Sequence, residues 1–183
     1  MKWKTLSTEY LSKHIYFTAR RDRCQRGDGT IVDPYFVVEM PTSATALAVT
    51  ADNKVIMVRQ YRHPINDVIM ELPGGFVDPG EDFETAMHRE LLEETGYSFE
   101  KVEWVGRVAA NPGVLNNFTE LFLATGGVKT HEQNLDHNEE IEVVEINMDD
   151  LQQLILGQEM VQSLHLSCVF FALLRLGKLS FNG

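Results

Sequence analysis

The chain has 183 residues, 44% of them hydrophobic, with a formal net charge of −11 and a pI near 4.9. That length suits one domain with a small appended piece, and the apolar share is enough for a core without a long disordered tract. The acidic balance excludes non-specific nucleic-acid binding, which needs clustered Lys and Arg to neutralise phosphates. Polyphosphate binding stays open where metal ions mask the repulsion locally.

The N-terminal stretch MKWKTLSTEY lacks the apolar region of a signal peptide. Residues 14–24 and 31–39 read as strands around a Gly27-Asp28-Gly29 turn. Pro41-Thr42-Ser43 marks a boundary, so residues 1–42 are expected to form a small β subdomain and 43–183 the main domain. Strand patterns follow at 44–51 and 54–61 across the turn Asp52-Asn53. A short strand at 68–72 runs into the breaker cluster Pro73-Gly74-Gly75. A helix is expected over 82–95, capped by Asp82 or Glu81 and closed by Gly96. Strands at 101–110, 118–125 and 141–147 come next, with a long polar loop at 126–140. Helices near 148–156 and 160–176 end the chain. The apolar run at 169–174 is too short to span a bilayer and reads as a buried helix. Cys24 and Cys168 lie far apart and outside metal-ligand spacing, as expected of reduced thiols in a cytoplasmic protein. The fold class is α+β, with helices packed on a mostly non-parallel sheet.

The helix at 82–95 carries the chemistry. On a wheel of about 100° per residue, Glu90 and Glu94 share the inward arc of Phe83, Ala86, Met87 and Leu91, with Glu93 at its margin. Like charges buried together are costly unless something positive joins them. Oxygen-ligated divalent cations are the natural partner, and residues four apart can converge on one site. Arg89 stands four residues before Glu93 and can hold that side chain. An ordinary solvated acidic face is the competing reading from helix geometry alone.

From Gly75 the sequence runs GFVDPGEDFETAMHRELLEETGY, with Gly75, Glu81, Arg89, Glu90, Leu91, Glu93, Glu94 and Gly96 at fixed positions. This resembles the Nudix box, G-x5-E-x7-R-E-U-x-E-E-x-G-U; Tyr97 replaces the usual final aliphatic residue. The resemblance implies an α/β/α sandwich around a mixed sheet, covering 44–176, and a site for Mg²⁺ or Mn²⁺. It implies Glu90 and Glu94 as metal ligands, Glu93 as a ligand or close neighbour, and help from the Gly74 carbonyl. Glu81 and Arg89 are implied to fix a carboxylate or a turn, alongside the motif glycines Gly75 and Gly96.

Substrate class needs other features. The run Arg59-Gln60-Tyr61-Arg62 leading to Glu71-Leu72-Pro73, and Pro112 after the box, resemble the ADP-ribose pyrophosphatase and nucleoside diphosphate sugar hydrolase group. That resemblance implies hydrolysis of ADP-ribose or a nucleoside diphosphate hexose to a nucleoside monophosphate and a sugar phosphate. It implies substrate contacts from Arg62, Glu71 and Pro112. The N-terminal hairpin is implied to pack against a second copy in a homodimer, and Tyr16 and Phe17 offer aromatic faces for a base. Glu139 best matches the position of the general base, with Glu140 a near rival and Glu142 alternating toward the face of Glu140. Dinucleoside polyphosphates or nucleoside triphosphates are the alternative substrates. A non-catalytic Nudix ligand sensor is the reading from another class, which would ordinarily bring a basic DNA-binding domain.

Overall fold

A computed structural model describes residues 1–14 and 17–181. The chain divides into two compact units. The first comprises residues 1–42 with 109–118, and the second residues 43–108 with 119–183. The segment 109–118, which the sequence places in the main domain, thus groups with the N-terminal strands.

The first unit is a sheet of three strands, not a two-stranded hairpin: β1 (Lys4–His14), β2 (Phe17–Gln25) and β3 (Ile31–Glu39), antiparallel in that order. The additional strand β1 has no clear alternation and is exposed along nearly its whole length. Asp22 is buried between its neighbours, taking hydrogen bonds from Thr8 Oγ1 at 2.8 Å and Arg20 Nε at 3.2 Å. Within this unit Val38 N–H donates to Val114 O at 2.9 Å, and Tyr35 O–H donates to Gly113 O at 3.0 Å.

The second unit holds a mixed eight-stranded sheet and three helices. Its strands are β4 (Ser43–Thr50), β5 (Lys54–Arg62), β6 (Asp67–Glu71), β7 (Gly74–Phe76), β8 (Tyr97–Ser98), β9 (Lys101–Val108), β10 (Thr119–Lys129) and β11 (Ile141–Asn147). The helices are α1 (Phe83–Thr95), α2 (Met148–Leu156) and α3 (Ser163–Arg175). β4 and β10 run parallel and the other pairs antiparallel, with the main order β11-β5-β4-β10-β8. None of the described helices is long and apolar enough to cross a membrane.

The sandwich follows from the period of β4. Successive side chains of a strand point to opposite faces. Ala44, Ala46 and Ala48 therefore pack with Met87 and Leu91 of α1, whereas Leu47 and Val49 pack with Cys168, Val169 and Ala172 of α3. A central strand covered on both faces reads as one apolar run instead of an alternation. Small alanines on one face let α1 come close, which matters because that helix carries the carboxylates.

The ends of α1 are set locally. Asp82 accepts from Thr85 N–H at 3.0 Å, and Gly96 in the left-handed conformation ends the helix. Phe83 departs from the expected inward arc and is exposed. The loop expected from residue 126 begins later, because β10 continues to Lys129 through a bulge between Thr125 and Gly127. Gly127 serves packing there: a Cβ would lie 2.4 Å from the Phe99 ring.

Candidate active site

A cleft of about 1070 Å³ opens in the second unit, bordered by β4, β5, β7, α1, the start of α3 and the loop before β11. Its lining brings together Arg62, Glu71, Gly74, Gly75, Arg89, Glu90, Glu93, Glu94 and Glu139. These residues span more than seventy positions of sequence and meet because β7 pairs with β4 directly beside α1.

Arg89 organises one wall. Its Nε and one terminal nitrogen donate to the two carboxylate oxygens of Glu81 at 3.1 and 2.9 Å. The other terminal nitrogen donates to Glu90 Oε1 at 2.9 Å and Glu93 Oε2 at 3.1 Å. One guanidinium thus fixes three carboxylates, and its own charge is reinforced by them, most by Glu81. Those bonds hold the half-buried Glu81 carboxyl below its ordinary range. Gly75 leaves the space that Glu90 occupies: a Cβ would stand 2.6 Å from both of its carboxylate oxygens.

Glu94 lies deeper and is buried, with Oε2 accepting from Gly74 N–H at 2.7 Å. Burial pushes its carboxyl up to about 8; the Gly74 bond opposes this, and Glu90 and Glu139 add to it. Burial likewise raises Glu90 to about 7, against the pull of Arg89 and with Glu93 and Glu139 adding repulsion. Burying Met87 and Leu91 stabilises the docked helix by roughly 1.5–3 kcal/mol each. An uncompensated buried carboxylate costs several kcal/mol, so two of them would cancel much of that gain. Arg89 compensates only in part, and the site calls for a further positive charge.

The residues fit a hard divalent cation on that ground, since Glu90, Glu94, Glu93 and Gly74 line the same cleft. Among the described residues, no three acidic, His or Cys side chains form a closed metal cage. Two carboxylates in an open cleft suit a cation that keeps waters and shares substrate phosphates, as Mg²⁺ does.

Glu139 enters from the loop facing α1. It is half-buried and lines the cleft, its Oε2 accepting from Asp136 N–H at 3.0 Å. Glu140 is exposed and absent from the lining, and Glu142 pairs instead with Arg59 at 3.0 Å. Arg62 donates through Nε to Glu71 Oε2 at 2.8 Å. Phe17 and Pro112 belong to the first unit and are exposed; Tyr16 lies outside the described residues. The lining also includes Gln60, Asn134, Asp136, Gln162 and His165, which the sequence did not single out as site residues. His165 carried a signal, a lone polar ring beside the apolar run of α3, but nothing in its neighbourhood of sequence assigns it a cleft.

Comparisons with known proteins bear on the family and the fold. The NUDIX domain family matches residues 40–166, and the nucleoside diphosphate sugar hydrolase N-terminal domain family matches residues 3–38. A methanol dehydrogenase activator of Bacillus methanolicus is 37% identical over 120 residues, 65% of each chain. An ADP-ribose pyrophosphatase of Bacillus subtilis is 36% identical over 124 residues, 67% of each chain. An ADP-sugar pyrophosphatase of Mus musculus is 37% identical over 103 residues, 53% of this chain and 47% of that one. The matched stretches thus span about two thirds or less of these relatives. A solved structure of an ADP compounds hydrolase superposes with a TM-score of 0.85 over 98% of both chains at 18% identity, a likeness of fold.

Proposed function

The chain belongs to the Nudix family, and from that premise we propose that it is a divalent-metal-dependent hydrolase of nucleoside diphosphate sugars. It cuts the diphosphate bond of ADP-ribose or a nucleoside diphosphate hexose, giving a nucleoside monophosphate and a sugar phosphate. The observation that carries this reading is the pair of inward carboxylates, buried Glu94 and half-buried Glu90, with a third carboxylate, Glu139, presented to the same cleft. Relatives named ADP-ribose and ADP-sugar pyrophosphatase support the substrate class.

Glu90 and Glu94 would hold the cation, Mg²⁺ or alternatively Mn²⁺, with the Gly74 carbonyl and Glu93 beside them. When bound, such a cation neutralises phosphoryl oxygens and acidifies an attacking water. The chain's own residues do the rest. Arg89 keeps Glu90 and Glu93 from swinging away. Arg62, tied to Glu71 through Nε, presents its terminal nitrogens to a phosphate oxygen. Glu139 accepts the proton of the water whose oxygen attacks phosphorus as the bridging P–O bond breaks; such a base contributes roughly 10²- to 10⁴-fold.

The first unit supports a homodimer in this reading. Trp3, Leu6, Tyr10, Leu11, Phe17 and Phe36 leave it with exposed apolar surface that a second copy would cover. Its exposed Phe17, with Tyr16 and Pro112, would then serve the nucleotide. Two unbonded cysteines accord with a reducing, cytoplasmic setting. Light scattering on the purified chain tests the dimer, and a monomeric mass would remove it.

The reaction is tested with Mg²⁺ and a panel of ADP-ribose, ADP-glucose, GDP-mannose, UDP-glucose and diadenosine polyphosphates, with phosphate released from the products by alkaline phosphatase. Turnover of the sugar-linked compounds is expected, abolished by EDTA and by Glu94→Gln. Turnover confined to the polyphosphates would replace the substrate class, and full activity of Glu94→Gln would remove the metal assignment.

A further inference from the structure

Away from the carboxylates, the cleft holds a second set of polar groups with nothing to bind. Glu71 at the end of β6 is fully buried. Its Oε2 takes the Arg62 bond, but its Oε1 has no hydrogen-bond partner among the described residues. His165 Nδ1 lies 4.0 Å from it. That nitrogen cannot help, because it already accepts from Leu72 N–H at 3.1 Å. An imidazole nitrogen that accepts carries no proton, so the neutral ring keeps its proton on Nε2. Burial, with Arg62 adding repulsion, pushes the ring down to about 3, so it stays neutral at ordinary pH. Nε2 has no hydrogen-bond partner among the described residues, and His165 borders the cleft. An unused acceptor, Glu71 Oε1, therefore stands 4.0 Å from a ring whose far nitrogen is an unused donor.

We propose that His165 and Glu71 form a subsite for a vicinal pair of sugar hydroxyls, one donating to Glu71 Oε1 and its neighbour accepting from His165 Nε2–H. The inference rests on the hydrolase reading above and names what holds the sugar beside the diphosphate. Phosphate oxygens offer acceptors only and would leave Glu71 unsatisfied. A base offers both roles, but it favours a stacking face, and Phe76, the other aromatic ring among the described lining residues, lies on β7, not on β6 or α3, which carry Glu71 and His165. Hydroxyls offer a donor and an acceptor without requiring a stacking face. A site built to bond hydroxyls rejects the analogue that lacks one, because its own buried groups are then left unpaired. His165 is thus a specificity-determining residue that Leu72 holds in one tautomer.

The test compares ADP-ribose with two analogues, one lacking the 2-hydroxyl of the adenosine ribose and one lacking that of the terminal ribose. Steady-state turnover with Mg²⁺ and calorimetric binding in EDTA are both measured. The wild type is expected to disfavour one analogue by about tenfold or more, and which one tells the two riboses apart. His165→Asn retains an acceptor for Leu72 N–H but loses the donor at Nε2. It should raise KM for ADP-ribose about tenfold with kcat within about twofold, and bring the analogue ratio close to one. His165→Gln, which restores an N–H near Nε2, should recover part of the discrimination. Unchanged KM and unchanged discrimination in His165→Asn would overturn the subsite. So would a wild type that treats all three compounds alike. If the wild type binds ADP-ribose without hydrolysing it, the hydrolase reading fails and the binding ratios alone decide the subsite. If it binds none of the three, both fail.

Discussion

Helices α1 and α3 are both thirteen residues long, pack on opposite faces of one sheet, and turn ionisable side chains inward, yet they tolerate this in opposite ways. α3 buries Cys168, Val169 and Ala172 and one polar ring, His165, whose charge is suppressed by burial and by Arg62 and whose Nδ1 accepts the Leu72 N–H. α1 buries Glu94 and half-buries Glu90, and the bonds given to them, one from Gly74 and one from Arg89, do not bring either carboxyl back to its ordinary range. The first arrangement carries no net charge and needs no cation. The second is complete only with a cation, and that incompleteness distinguishes a reactive wall from a supporting one.

The comparison can be broken at the carboxylates. The largest effect is expected from Glu139→Gln, which should lower kcat by roughly 10²-fold or more while leaving the Mg²⁺ concentration for half-maximal activity unchanged. Glu140→Gln should remain close to the wild type, since its side chain is exposed outside the cleft. The reverse pattern in kinetics with Mg²⁺ titration would move the base by one residue. Next in size is Gly75→Ala. Its added Cβ would meet both oxygens of Glu90 at 2.6 Å and push the carboxylate from its place. Displacing a group that orients a metal ligand costs roughly 10–100-fold in metal affinity, and displacing the ligand itself should reach the upper end. A Gly75→Ala protein with wild-type Mg²⁺ dependence would separate Glu90 from the metal.

Much of α1 was legible because its signals are local. Asp82, the Gly96 stop and the spacing from Gly75 to Gly96 all lie within one stretch of sequence, and the helix occupies Phe83–Thr95. The alternating faces of β4 were not legible, since a strand buried on both sides shows no alternation. β1 was missed for the opposite reason: KTLSTEYLSKH is exposed on both faces, so no pattern marks it as a strand. The pairing of His165 with Leu72 spans 93 residues and depends on where α3 begins over the sheet, which no local spacing encodes. Arg89 was read as a partner of Glu93, whereas its bonds to Glu81 and Glu90 depend on how the loop before α1 folds back.

A smaller effect concerns stability. If α1 is incomplete without a cation, replacing a buried carboxylate by its neutral amide should help the metal-free chain. Glu94→Gln is expected to raise stability in EDTA by about 1–3 kcal/mol, the range for relieving an unsatisfied buried polar group. Added Mg²⁺ should raise Tm of the wild type by mass action and that of the variant much less. Calorimetric melts with and without Mg²⁺ decide it. A variant less stable than the wild type in EDTA would mean that the Gly74 bond already compensates Glu94.

The smallest effect tests the claim that the inward ring of α3 stays uncharged. His165 has a folded-state pKa lowered to about 3, below its ordinary 6.5. The unfolded chain therefore takes up a proton at this residue as pH falls below about 6.5, while the folded chain does not, and stability drops in that window. Glu71, raised above its ordinary value by burial, acts with the opposite sign: its penalty is present above its unfolded pKa of 4.5 and fades as pH falls through the folded value. Comparing melts of wild type and His165→Asn isolates the histidine, because Glu71 is present in both. Between pH 6.5 and 5 the wild type should lose roughly 1–2 kcal/mol more than the variant, close to the limit of about 1.4 kcal/mol per pH unit for one proton. Equal losses would mean that the folded protein accepts the proton, and that burial does not keep the ring neutral.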